Sequence, residues 1–147
     1  MKREKNGFWI TTEESKMDTK YIHHFLSTKS YWAEGVPIEI VEKSIRGSVC
    51  FGLFRKEQQI GFARAITDKA TFAWLADVFV DEQFRGQGLG KWLMEVIVSH
   101  EDLQGLRRIM LGTKDAHGLY AQYGFTSLPY PERMMTVHNP DVYRKKN

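Results

Sequence analysis

The chain has 147 residues and a formal net charge of +3, with 42% hydrophobic and 13% aromatic residues. That length suits one domain with its own core, so a single domain over 1–147 is expected, with about 139–147 as a loosely ordered tail. The lone cysteine, Cys50, excludes an internal disulfide, and the charged start Met1-Lys2-Arg3-Glu4-Lys5 is unlike a signal peptide. No apolar run reaches membrane-spanning length, and the basic residues form no stripe with interleaved aromatics. A cytoplasmic protein with neither a membrane nor a nucleic-acid partner is the expectation, and a homodimer stays open. The densest basic cluster is Arg144-Lys145-Lys146, read as part of the tail.

Residues 8–12 read as a first strand. Asp18 or Thr19 caps a helix through about Leu26, with Tyr21, Ile22, Phe25 and Leu26 on its apolar face. Residues 30–35 form a loop carrying Tyr31 and Trp32. Pro37 suits the first turn of a second helix, with Ile38, Val41 and Ile45 on one face and Gly47 as its stop. Three strands follow, over 48–55, 59–67 and 71–80. Their short turns at Lys56-Glu57 and Asp68-Lys69 predict an antiparallel meander. A helix spans about 89–100, with Leu89, Leu93, Val96 and Ile97 at helical spacing. Residues 106–111 form a strand, and 115–123 a short helix that Gly124 ends. Final strands are expected over 125–128 and 134–138, separated by Pro129 and Pro131. This order of elements is α/β.

The most informative stretch runs from Val78 to Leu93. A β-branched strand enters a turn with glycines at 86, 88 and 90, and an apolar-periodic helix starts at once. Glycines let the backbone approach a ligand, and the free N–H groups of a helix start favour an anion such as a diphosphate. A P-loop needs a hydroxyl after the lysine, and Gly90-Lys91-Trp92 has none. A dinucleotide fingerprint needs Gly-x-Gly-x-x-Gly, and this spacing is different. Arg85-x-x-Gly88-x-Gly90 resembles instead the Gln/Arg-x-x-Gly-x-Gly/Ala signature of the GNAT superfamily, the acyl-CoA-dependent N-acetyltransferases. Downstream, Ala116-x-x-x-Tyr120-x-x-x-Gly124-Phe125 resembles a second block of that family. The resemblance covers about 48–137. It implies a single GNAT-like domain with a mixed central sheet of about six to seven strands flanked by about four helices.

The resemblance also implies acetyl transfer from acetyl-CoA to a primary amine by direct attack. Such a reaction needs a neutral amine, a stabilised oxyanion and a protonated leaving thiolate. Tyr120 falls where the family has its general acid. Asp77, a carboxylate within an apolar strand, is either a base for the substrate ammonium or the partner of an arginine such as Arg64. Many GNAT enzymes carry a glutamate where this chain has Trp74. Backbone groups at Val78, Phe79 and Val80 are expected on the pantetheine arm. Arg85, Gly86, Gln87, Gly88, Leu89, Gly90 and Lys91 are expected on the diphosphate, with Thr113 and Tyr123 also on the coenzyme side. Tyr31, Trp32, Arg64 and Asp68 are candidates for the acceptor pocket. The five histidines show no metal-ligand spacing, so no metal is expected. The alternative is a non-catalytic acyl-CoA sensor of the same fold.

Overall fold

Asn6 and Gly7, at φ 52° and 85°, make the two-residue turn whose twist matches that of antiparallel strands. It joins β1 (Lys2–Lys5) to β2 (Phe8–Thr11). The sequence reading has no counterpart of β1, because Lys-Arg-Glu-Lys carries no apolar alternation. All its residues are exposed on the sheet edge, where charges discourage pairing with other chains. The computed structural model describes residues 1–144, so Lys145 and Lys146 of the basic cluster lie outside the described residues.

Helix α1 (Thr19–Lys29) starts at Asp18, whose carboxylate accepts from the Tyr21 N–H at 3.1 Å. The Asp18 N–H donates to the buried Gln59 side chain at 2.7 Å, which ties the helix start to the sheet. Helix α2 (Ile38–Arg46) follows Pro37 and ends at Gly47. The meander is β3 (Val49–Arg55), β4 (Gln58–Thr67) and β5 (Phe72–Val80), within one or two residues of expectation. Helix α3 (Leu89–Ser99) then crosses over to β6 (Arg108–Met110), which pairs with β5 in parallel, and α4 (His117–Ala121) follows. Parallel neighbours need such a crossover connection. The six strands lie in chain order in one sheet.

Both faces of the meander are covered, which explains its near-continuous apolar runs. Phe51, Leu53, Ala63 and Leu75 pack toward Leu93 and Ile97 of α3. Phe62 and Phe79 point the other way, toward Ile22, Phe25, Val41 and Ile45 of α1 and α2. Phe25 stacks on Phe79 with ring centroids 3.7 Å apart. Truncating either ring to alanine would cost about 3–5 kcal/mol. No helix among the described residues is long and apolar enough to cross a membrane.

Two irregularities shape the middle of the sheet. Phe62 pairs with Phe79 and Arg64 with Ala76, so Asp77 and Val78 together oppose Ala63. This is a β-bulge, and Asp77 adopts φ 54° within it. In addition, β5 and β6 pair only through Phe72–Arg108, Ala73–Ile109 and Trp74–Met110. Beyond Trp74 they splay, and the outer edge of β5 has no strand partner.

The C-terminal expectations are corrected. Neither 125–128 nor 134–138 is a strand. Gly124 turns at φ 93°, Tyr130 takes φ 55°, and a 3-10 turn spans Pro131–Arg133. Residues 134–138 pair with no strand among the described residues. Beyond them, Tyr143 packs against the core cluster of α1 and α2.

Candidate active site

The glycine-rich loop is held by its own backbone. Asp81 accepts from the Gln83 N–H at 3.0 Å and starts a 3-10 turn over Glu82–Phe84. Arg85 Nε donates back to the Val80 carbonyl at 3.2 Å. Gly86 and Gly88 take φ 82° and 78°, a conformation that disfavours any side chain, and α3 begins. The Trp92 N–H donates to the Gly88 carbonyl at 3.1 Å, so the N–H groups of Leu89, Gly90 and Lys91 have no intrahelical partner. Gly90 is different from its neighbours. It lies within the helix, and a Cβ built there would meet nothing within 4 Å. The fold does not require glycine at this position.

From this loop the open edge of β5 leads into a cleft of about 520 Å³. Its floor is the Asp77 bulge. One wall is the Leu111–Ala116 segment with Tyr120, and the other is Tyr31, Trp32 and Trp74. The Trp32 Nε1–H donates to Asp77 Oδ1 at 2.7 Å, and Arg64 Nε–H donates to Oδ2 at 2.6 Å. Arg64 also donates to the Ser48 hydroxyl at 3.1 Å. The Asp77 and Arg64 side chains are only 9% and 17% exposed. A buried carboxylate in a left-handed conformation is thus held by an ion pair and an indole. The Lys114 N–H donates to the Tyr31 hydroxyl at 3.0 Å and links the two walls.

Two tyrosines of the second sequence block behave differently. The Tyr123 hydroxyl donates to the Lys91 carbonyl at 2.8 Å, tying the end of α4 to the start of α3. Tyr120 is 9% exposed, and no group among the described residues hydrogen-bonds its hydroxyl. Burial, aided by nearby Tyr31 and Asp115, holds the Tyr120 phenol above its ordinary pKa. It therefore stays protonated through neutral pH.

A family model for the acetyltransferase (GNAT) domain matches residues 46–127. The chain belongs to the GNAT acetyltransferase family. A protein of Gibberella zeae described as an acetyltransferase is 30% identical over 140 residues, covering 80% of this chain and 78% of its own. The spermine/spermidine N(1)-acetyltransferase of Bacillus subtilis is 26% identical over 113 residues, covering 74% of this chain and 64% of its own. A crystal structure from Xanthomonas campestris, described as a GNAT-family acetyltransferase, superposes with a TM-score of 0.92. It is 46% identical and covers 94% of this chain and 97% of that one.

The expected site residues of this acetyltransferase fall into three groups. Val78, Thr113, Tyr120, Tyr31, Trp32 and Asp77 line the cleft. Arg85 to Lys91 form the loop at its far end. Phe79 and Leu89 have buried side chains, so only their backbone is available to a ligand. Arg64 stands behind Asp77 and is not part of the cleft lining. Asp68 is corrected outright: it sits in the β4–β5 turn, accepting from the Ala70 and Thr71 N–H groups and the Thr71 hydroxyl. Those bonds hold its carboxyl well below the usual range. The Thr113 hydroxyl accepts from the Ala116 N–H at 3.0 Å and so organises the approach to α4. The sequence reading missed Trp74, Lys114 and Asp115 as lining. Trp74 was discoverable, since Ala73 and Leu75 face α3 and alternation turns Trp74 to the opposite face.

Proposed function

We propose that this acetyltransferase moves an acetyl group from acetyl-CoA to a primary amine of a small molecule or peptide. The splay of β5 from β6 carries the reading. It leaves the outer edge of β5 at Val78–Val80 without a strand partner among the described residues, between the anion-competent start of α3 and the unbonded hydroxyl of Tyr120. Val78, Phe79 and Val80 hold the pantetheine arm by backbone hydrogen bonds. The 86–91 loop and the Arg85 and Lys91 side chains hold the diphosphate, and the open space at Gly90 fits that role. When bound, the coenzyme supplies the electrophilic thioester.

The chain's own residues do the rest. Tyr120 gives its hydroxyl proton to the leaving sulfur as the carbon–nitrogen bond forms and the carbon–sulfur bond breaks. The acylated nitrogen gives its surplus proton to solvent water in the cleft, and a proton from solvent restores the phenol. Asp77 acts as a positioning residue, because Arg64 and Trp32 already engage both its oxygens. It fixes Trp32 as the acceptor wall.

The cleft has little unmatched charge. Asp77 faces Arg64, and Lys114 lies beside Asp115 at the mouth. With three aromatic side chains on the acceptor wall and a fourth, Tyr120, opposite, this favours a monoamine with an apolar body over a polyamine. A screen of amines with acetyl-CoA, following free thiol, tests the reading. Cys50 will not interfere, since burial pushes its thiol up to about 12. Thiol release with an apolar monoamine is expected. Acetyl-CoA binding without release for any amine would identify the sensor alternative instead.

A further inference from the structure

Helix α4 carries the proposed acid, Tyr120, yet it is five residues long and has no side-chain cap at Ala116. A helix this short is marginal by itself, so its anchors set where Tyr120 stands. At its entry the Thr113 hydroxyl accepts from the Ala116 N–H at 3.0 Å, and the Lys114 N–H donates to the Tyr31 hydroxyl at 3.0 Å. That end is tied to the acceptor wall. At its exit Gly124 turns at φ 93°, and the Phe125 ring meets Tyr120 edge-on with centroids 5.9 Å apart. Among the described residues, 117–125 make a single hydrogen bond to any residue before Ala116 or after Phe125. It runs from the Tyr123 hydroxyl to the Lys91 carbonyl, at 2.8 Å.

Lys91 is the third residue of α3. Its N–H is one of the helix-start donors without an intrahelical partner, and its carbonyl holds Tyr123. One residue thus joins the proposed diphosphate site to the helix of the acid. The link onward to Tyr120 is direct, because the Tyr123 N–H donates to the Tyr120 carbonyl at 2.9 Å. A shift of Tyr123 therefore moves the Tyr120 backbone with it. The two phenols differ in what their protons do. The Tyr123 proton is committed to a carbonyl, and burial, aided by Glu95, holds that phenol above its ordinary pKa, so it remains a donor through neutral pH. The Tyr120 hydroxyl has no partner among the described residues and is free to face a leaving group.

We propose that Tyr123 is a positioning residue for acetyl transfer, its hydrogen bond to the Lys91 carbonyl fixing the distance from the coenzyme loop to the Tyr120 hydroxyl. The inference rests on the reading of Tyr120 as the acid. In the proposed complex coenzyme A spans that same distance, with its diphosphate at the start of α3 and its sulfur beside Tyr120. The spacing between loop and acid must therefore match the length of the bound arm. A misplacement of about 1 Å at a reacting group can cost about 10²-fold in rate. Tyr123 touches neither the sulfur nor the amine, and it acts on kcat through Tyr120 alone.

Tyr123→Phe keeps the ring and removes only the donor. Calorimetry with CoA, thiol release from acetyl-CoA with the fastest amine of the screen above, and hydrogen exchange on the full chain test the proposal. The variant is expected to bind CoA within about twofold of the wild type and to lose about tenfold in kcat, with KM for acetyl-CoA unchanged. Amides of 119–125 should exchange faster and those of β3, β4 and β5 at the wild-type rate, which shows that the fold is kept. The double variant Tyr120→Phe/Tyr123→Phe should be no slower than Tyr120→Phe alone, because a residue that acts through the Tyr120 hydroxyl has nothing to position once that hydroxyl is gone. Effects that multiply in the double variant overturn the proposal, as does a loss of CoA affinity as large as the loss of rate. An active wild type with a fully active Tyr123→Phe overturns this inference alone. A wild type that releases no thiol with any amine contradicts the reading of Tyr120 and takes this inference with it.

Discussion

The two sides of the wedge between β5 and β6 are built from different materials. The proposed coenzyme side is backbone: a strand edge with no strand partner, two left-handed glycines and a helix start, all within 78–91. The proposed acceptor side is side chains brought together from the α1–α2 loop and β5: Tyr31, Trp32, Trp74 and Asp77. The family model begins at residue 46, so it includes the first side and leaves out Tyr31 and Trp32. A backbone site tolerates drift in most side chains provided its glycines remain. A side-chain wall can be rebuilt for a new acceptor without disturbing the coenzyme. The matched family region thus spans the proposed coenzyme side together with Trp74 and Asp77, and only the Tyr31–Trp32 loop of the wall lies outside it.

The sharpest break between the sides is expected at Tyr120, where they meet. Tyr120→Phe should lower kcat by about 10²- to 10⁴-fold while calorimetry finds CoA affinity unchanged. Next comes the support of the acceptor wall. Asp77→Asn leaves the Arg64 cation uncompensated and should cost about 3 kcal/mol in denaturant unfolding, with coenzyme affinity kept in the folded fraction. A stable Asp77→Asn protein with lost amine turnover would instead make Asp77 the base. On the coenzyme side the pattern reverses. Gly90→Ala should hold or raise the melting temperature, because alanine is the better helix former, yet weaken CoA about tenfold, or ~1.4 kcal/mol. Trp32→Phe removes one hydrogen bond worth about 1 kcal/mol, so KM for the amine should rise several-fold with the coenzyme unaffected. The smallest effect near neutral pH concerns Cys50, beneath the acceptor side. Its thiol stays protonated in the fold from 9.0 to about 12, while the unfolded thiol ionises. Stability should fall as pH rises through that window, and Cys50→Ala should flatten part of the slope in alkaline melts.

The same division explains what could be read from the sequence. The meander, α3 and the glycine-rich loop rest on local patterns, and each appears where its residues predict it. Tyr120 was reachable through its spacing to Gly124. The Asp77–Arg64 pair was legible as a question, since a carboxylate in an apolar strand needs a partner, but the Trp32 indole that completes it comes from 45 residues away. The splay beyond Trp74 left no mark, because strand divergence depends on the path of β6 and not on any residue of β5. β1 escapes a reading by alternation because its four residues are all charged, although Asn6-Gly7 marks its turn. Residues 134–138 carry a strand pattern yet pair with no strand among the described residues, and alternation alone says nothing about which edge a strand will find.

The central claim is that the open edge of β5, the 86–91 loop and the cleft form one coenzyme A site. Calorimetric titration of the wild type with CoA, ATP and NAD tests it directly, because all three carry a diphosphate and only CoA has an arm to lie along Val78–Val80. The account predicts saturable CoA binding, with ATP and NAD at least about tenfold weaker, a difference of ~1.4 kcal/mol or more. ATP or NAD binding as tightly as CoA, or no CoA binding at all, would contradict it.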